Sequence, residues 1–274
     1  MTLKHNNPKA GLSIRERRLI DAMVMTGKSV IHIADVESEM GFSKERAILT
    51  ISRLKKKGWL QKLKAGLYLM VPFGSDTSDP IPENAMEIAM EVFSPGYVGG
   101  WTAAEYWDLT EQIFNTTVFY TSMVLRKSDH AIAGLSFKTK FVRAEDVFGT
   151  VKEWERNTPI EISDLHRTLI DILDNPALGG GARMMVDISR AYWKKPEASF
   201  DKVYDYVLRL NHGAVFKRLG LIAEKVFHIP KKELKKIEEK CKSGIILLDP
   251  NGSDIGPIIT RWGLRINIPT EDLL

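Results

Sequence analysis

Three short stretches of helical period, a glycine-centred turn and a basic hairpin follow one another within residues 13–71, and that order leaves the front of this chain few ways to fold. Ser13-Ile14-Arg15-Glu16 is a capping box, in which the serine accepts from an unpaired helix amide and the glutamate accepts from the cap amide. Leu19, Ile20, Met23 and Val24 then recur at helical spacing, which predicts a first helix ending before Gly27. A second helix is expected over residues 32–40, with Ile33, Val36 and Met40 inward. In Gly41-Phe42-Ser43 the glycine frees the backbone, the aromatic plugs the junction and the serine caps the next helix. That third helix is expected over residues 43–57. Ala47, Ile51, Leu54 and Gly58 fall on one stripe, while Lys44, Glu45, Ser52, Lys55 and Lys56 face away from it. Residues 61–69 complete a short hairpin turned by Gly66, with Tyr68 closing the returning strand against Trp59. Gly58, Trp59, Gly66 and Tyr68 are therefore read as its structural residues.

The charges sort along the same line. Residues 1–75 hold 14 Lys/Arg against 6 Asp/Glu, whereas the remainder holds 25 against 29. A basic head on a mildly acidic body points to a polyanion met by the head. A positive third helix beside a positive hairpin is the arrangement of a winged helix-turn-helix, which docks a helix in the major groove and neutralises phosphates around it. Lys44, Glu45, Ile48 and Ser52 are placed to meet base edges, and Arg46, Arg53, Lys55, Lys56, Lys62 and Lys64 to meet phosphates. Double-stranded DNA is the expected partner. Lysines at a helix C-terminus are also favourable without any ligand, so the run 55–57 has a solvated-face reading beside the functional one.

A linker is expected at residues 72–82, where Gly, Ser, Asp and Pro crowd together, dividing the chain into a DNA-binding domain at 1–72 and a larger domain at 83–274. The second reads as mixed α/β, with a subdivision near residue 163. Helices are expected over 83–93 and 102–108, the latter capped by Thr102, and strands over 97–101, 116–125, 132–142, 148–154 and 158–162. Helices follow at about 163–173, 182–193, 199–210, 213–226 and 231–241, then strand-like pieces at 245–248 and 264–268.

Chemistry is sparse. The lone Cys241 permits no internal disulfide and no thiolate cluster, the start lacks the apolar core of a signal peptide, and no run approaches the length of a membrane span. A cytoplasmic protein with no membrane partner is expected. Gly179-Gly180-Gly181 before Ala182 and Arg183 could cradle an anion, but no GxxxxGK[ST] pattern accompanies it, and a helix connection is the simpler reading. Asp164, His166 and Asp171 lack metal-ligand spacing: Asp164 reads as a helix cap, and His166 and Arg167 as an exposed or salt-bridged face. Glu238 and Glu239 read as solvated surface, and Trp101, Tyr106 and Trp107 as packing. No catalytic residue, metal or cofactor is expected, and the chain is read as not an enzyme.

Several segments, in order, carry a resemblance over residues 12–228. They are Leu54-Lys55-Lys56-Lys57-Gly58-Trp59-Leu60 leading to Lys64-Ala65-Gly66-Leu67-Tyr68, then Trp101-Thr102-Ala103-Ala104. Asp164-Leu165-His166-Arg167-Thr168, Asn175-Pro176 with Gly179-Gly180, and Lys217-Arg218-Leu219-Gly220 follow. The chain resembles the AbiEi-type antitoxins, transcriptional regulators of viral defence systems, with His166 where the family commonly has an acidic residue. The resemblance implies a repressor of its own operon whose larger domain counters a nucleotidyltransferase-like toxin of a type IV toxin–antitoxin pair. Two-fold or cooperative copies on DNA are expected. The alternative is a protein-binding inhibitor or scaffold whose winged helix is accessory.

Overall fold

The computed structural model describes residues 9–25, 27, 29–75, 81–155, 158–269 and 271. The chain start at residues 1–8 and the middle of the expected linker, residues 76–80, lie outside the described residues. The head runs α1 (Ile14–Met25), β1 (Val30–His32), α2 (Ile33–Met40), α3 (Lys44–Lys56), β2 (Leu60–Lys64) and β3 (Leu67–Met70). The expected capping box forms: Ser13 N–H donates to Glu16 Oε2 at 2.8 Å and Glu16 N–H to Ser13 Oγ at 3.4 Å. Leu19, Ile20 and Met23 pack with Val36, Ala47, Ile51 and Leu54 in one core, while Val24, placed on the same stripe by spacing, is exposed. β1 is an addition to the sequence reading. It pairs antiparallel with β3, Val30 opposite Leu69, and gives a sheet ordered β1-β3-β2. Helix, strand, two helices and a hairpin make the head winged-helix-like in topology.

The body is mixed α/β. Its first part contains α4 (Ala85–Phe93), β4 (Gly96–Val98), α5 (Gly100–Tyr106), β5 (Thr116–Thr121), β6 (Asp129–Ile132), β7 (Leu135–Phe141), β8 (Thr150–Glu155) and β9 (Thr158–Ser163). These strands form one six-stranded sheet, ordered β6-β7-β5-β4-β9-β8, in which β4/β9 and β5/β7 are parallel and the other pairs antiparallel. The second part holds α6 (Leu165–Asp174), α7 (Ala182–Trp193), α8 (Phe200–Leu210), α9 (Gly213–Lys225) and α10 (Lys231–Glu238). A small sheet of β10 (Ile246–Leu247), β11 (Ile258–Ile259) and β12 (Leu264–Arg265) closes it.

α5 starts two residues before Thr102, whose hydroxyl instead accepts from Val118 N–H at 2.9 Å and so fastens helix to strand. Asp164 caps α6 as expected, accepting from Arg167 N–H at 2.7 Å. Of the exposed or salt-bridged face expected at His166 and Arg167, the exposed half is overturned, because α6 is covered on all sides between sheet and helices and both residues are buried; Arg167 is salt-bridged, to Asp171 at 2.9 Å. The glycine run is a tight turn whose helix-opening amide, Ala182 N–H, is taken by Asp249 at 3.1 Å, so an acidic side chain of the chain itself occupies the anion position.

Head and body share apolar contacts. Val30, Leu67 and Leu69 of the head sheet lie in the same cluster as Ile88, Ala89, Val92 and Phe93 of α4 and Phe119, Phe137, Ile160 and Ile162 of the large sheet. At its edge the Glu87 carboxylate accepts from Ser29 N–H at 3.3 Å, from Ser29 Oγ–H at 2.5 Å and from Thr158 Oγ–H at 3.1 Å. That frame fixes how the head is presented.

Candidate nucleic-acid interface

The geometry of α3 follows from what holds its inner side. Ala47, Thr50, Ile51 and Leu54 are buried, leaving Lys44, Glu45, Ile48, Leu49, Ser52, Lys55 and Lys56 exposed. Lys44, Ile48, Ser52 and Lys55 are spaced by four, four and three, so they line one face of a helix about 20 Å long, a rod that a major groove admits. Ser43 caps it by accepting from Arg46 N–H at 3.4 Å, and the Arg46 guanidinium lies 4.2 Å over the Phe42 ring. Phe42 therefore both plugs the junction and orients a phosphate candidate. Glu45 sits in the first turn, where its own backbone N–H and the Ser43 hydroxyl hold its carboxylate below the usual range.

Arg46 and Arg53 share a cleft of about 100 Å³ with Arg15 at the start of α1. Arg15 is an addition to the sequence candidates, since the gap of some thirty residues to Arg46 hides their meeting. Lys55 and Lys56 stand exposed at the end of α3. Lys57 does not join them: its ammonium is bound by Glu16 at 2.7 Å. Burial opposes the Glu16 charge, but hydrogen bonds from Lys57 and Ser13 outweigh it and hold the Glu16 pKa at about 2.

In the hairpin, Gly58 (φ +78°) lets the chain leave α3 and Gly66 (φ +79°) turns β2 into β3, both in the left-handed region that side chains resist. Lys62 is exposed on β2. Lys64, grouped with it in the sequence reading, sends its ammonium to the body and donates to Val92 O at 2.6 Å. Burial lowers its pKa against the pull of Glu91. It fastens the wing to α4 instead of extending the basic face. Trp59 is buried, donates Nε1–H to Ala10 O at 2.8 Å and meets Phe73 edge-on at 5.1 Å. Tyr68 belongs to the same core cluster and stands between Ile31 and Lys62 in the sheet register.

The exposed candidates are thus Arg15, Lys44, Arg46, Arg53, Lys55, Lys56 and Lys62 with Glu45 among them; Lys64 is exposed as a residue too, but its ammonium, like that of the half-buried Lys57, is held by a partner in the frame behind. Among the described residues no group of three His, Cys, Asp or Glu is placed to hold a metal ion, and no helix is long and apolar enough to cross a membrane. Trp101 and Trp107 are spent on packing, with indole donors to Thr116 O at 2.6 Å and Ser163 O at 2.8 Å.

The class these features define is a winged-helix-like head fixed to a mixed α/β body. The structure is similar to the crystal structure of the RV2827C protein from Mycobacterium tuberculosis, with a TM-score of 0.59 and 12% identity over 94% of this chain and 93% of that one. At that identity the likeness is one of fold. No protein-family model matches the chain, and no curated protein matches it.

Proposed function

We propose that this chain is a sequence-specific DNA-binding transcriptional regulator that represses its own operon and serves as the antitoxin of a phage-defence pair. One observation carries the DNA reading: an exposed, seven-cation surface on α1, α3 and the wing surrounds the residues placed to meet base edges. Lys44, Ile48 and Ser52 read bases from the face of α3. Arg15, Arg46, Arg53, Lys55, Lys56 and Lys62 grip the flanking phosphates. Two copies on a repeated operator supply the specificity that one short helix lacks. The sequence resemblance to AbiEi-type antitoxins supports the second half of the reading, in which the body counters a nucleotidyltransferase-like toxin. The body acts by binding; no catalytic step is assigned to it.

A reporter fused to the gene's own upstream DNA tests regulation: supplying the chain should lower expression, and the Lys55→Ala/Lys56→Ala variant should restore it. Co-expression with the neighbouring gene's product tests the antitoxin role. Growth arrest relieved by the full chain and equally by its Lys55→Ala/Lys56→Ala variant supports it, and arrest unaffected by the full chain removes it.

A further inference from the structure

Arg167 is the most unusual charge in the body. It is 1% exposed and donates from Nε to Asp171 at 2.9 Å and from Nη2 to the Tyr97 hydroxyl at 2.8 Å. Its guanidinium lies 4.4 Å over the Phe148 ring, yet Nη1 is buried with no hydrogen-bond partner. Asp171 Oδ2, packed beneath Gly99, is likewise unpartnered. An orphaned donor on a buried cation is costly and demands an acceptor.

Arg167 also lines a cleft of about 440 Å³, the size of a small-molecule site, at the ends of β5 and β7 beside the α8–α9 turn. Lys140, Arg143 and His212 line the same cleft, against Asp146 and Asp174. Asp174 is shared by Lys140 and His212, so two cationic groups have one carboxylate between them. Its hydrogen bond raises the His212 pKa, which favours the imidazolium. Arg143 stands at the rim with its side chain 62% exposed, bound to Asp146 at 2.8 Å and to Glu145 at 3.3 Å. Phe141 lines the cleft too and leaves 54% of its surface uncovered. A bare oxyanion would answer the cations but leave that ring and most of the volume unused.

We propose that this cleft binds a small phosphate ester carrying a flat ring, of nucleoside monophosphate size. The phosphate sits among Lys140, His212 and Arg143, with the buried Arg167 charge behind them, and the ring lies on Phe141. The site is separate from the basic face of the head and does not depend on the DNA reading.

Calorimetric titration of the full chain tests it, with the four ribonucleoside monophosphates, inorganic phosphate and adenosine as probes. At least one monophosphate should bind with a Kd below about 1 mM and roughly tenfold tighter than phosphate, while adenosine should give no saturable heat. Arg143→Ala should weaken both anions about tenfold, and Phe141→Ala should weaken the monophosphate and leave phosphate unchanged. Arg167→Lys keeps a charge on Asp171 but removes Nη1. Because that change alters the core, the two rim variants decide the matter, once their melting temperatures are shown to match that of the parent chain. Absence of saturable binding by any monophosphate overturns the proposal, as does equal binding in both variants or adenosine binding as tightly as its phosphate.

Discussion

Glu16 shows how one side chain can serve two elements. It closes the capping box of α1 and takes the ammonium of Lys57 just past α3. Glu16→Gln should lower stability by about 1–2 kcal/mol at neutral pH, the sum of a weakened cap and a lost charged hydrogen bond. The pH dependence has a definite sign. The folded pKa of about 2 lies below the ordinary value of 4.5, so the contribution is complete above about pH 4.5 and lost as pH falls toward 2. Urea melts of the two proteins should therefore differ most at neutral pH and converge in acid; a constant gap would contradict the assignment. Lys62 and Lys64 make a second contrast. Lys62 is exposed on the wing, whereas the Lys64 ammonium is held by Val92 O. Lys62→Ala should reduce the slope of log Kobs against log salt by about 1, and Lys64→Ala should leave it unchanged while loosening the wing. Equal slope losses would place both ammonium groups on DNA.

Among the elements, the tail carries more of the structure than its short strands suggest. Trp262 is fully buried against Gly220 of α9, where an added Cβ would strike its ring, and its Nε1–H donates to Glu224 at 2.7 Å. Arg218, also on α9, donates to Leu173 O at the end of α6 at 2.9 Å and to Leu247 O and Leu248 O of the tail at 3.2 Å each. Trp262→Ala should cost about 3–5 kcal/mol, measured by denaturant unfolding; a change under about 1 kcal/mol would mean the tail is not part of the body's core. The amphipathic helices are readable in the sequence because caps and the 3.6-residue period are local: Ser43, Asp164 and Ser199 all cap where their helices were expected to begin. β1 and β11 have three and two residues, too few for an alternation, and were not expected, whereas β10 and β12 fall within the strand-like pieces expected at 245–248 and 264–268. α6 misleads for a related reason. It is buried all round, so of the exposed or salt-bridged face its charged residues suggest only the salt-bridged part exists, between Arg167 and Asp171, and the reach of that pair to Tyr97, some seventy residues away, is hidden. The cations of the interface are visible in the chain. The partners that remove Lys57 and Lys64 from it, 41 and 28 residues away, are not.

In the molecule as a whole, the head is held to the body by a shared apolar cluster and by Glu87, which gathers Ser29 and Thr158. Burial of this kind couples the stability of what it joins. Amide exchange in α3 and in α6 should therefore open together as denaturant rises, and Glu87→Ala, leaving three donors without their acceptor, should lower both by about 1–3 kcal/mol. An α3 that opens alone would mean the head is tethered, not fixed. A fixed head matters because the basic face can then be presented at one angle to DNA. The direct measurement of that claim is a titration of the full chain against its own upstream duplex and a scrambled duplex at two salt concentrations. The account predicts binding to the native duplex at least roughly a hundredfold tighter, with Lys55→Ala weakening both complexes and lowering the salt slope by about 1. Equal, weak and salt-sensitive binding to both duplexes would contradict it and leave the basic face a nonspecific one.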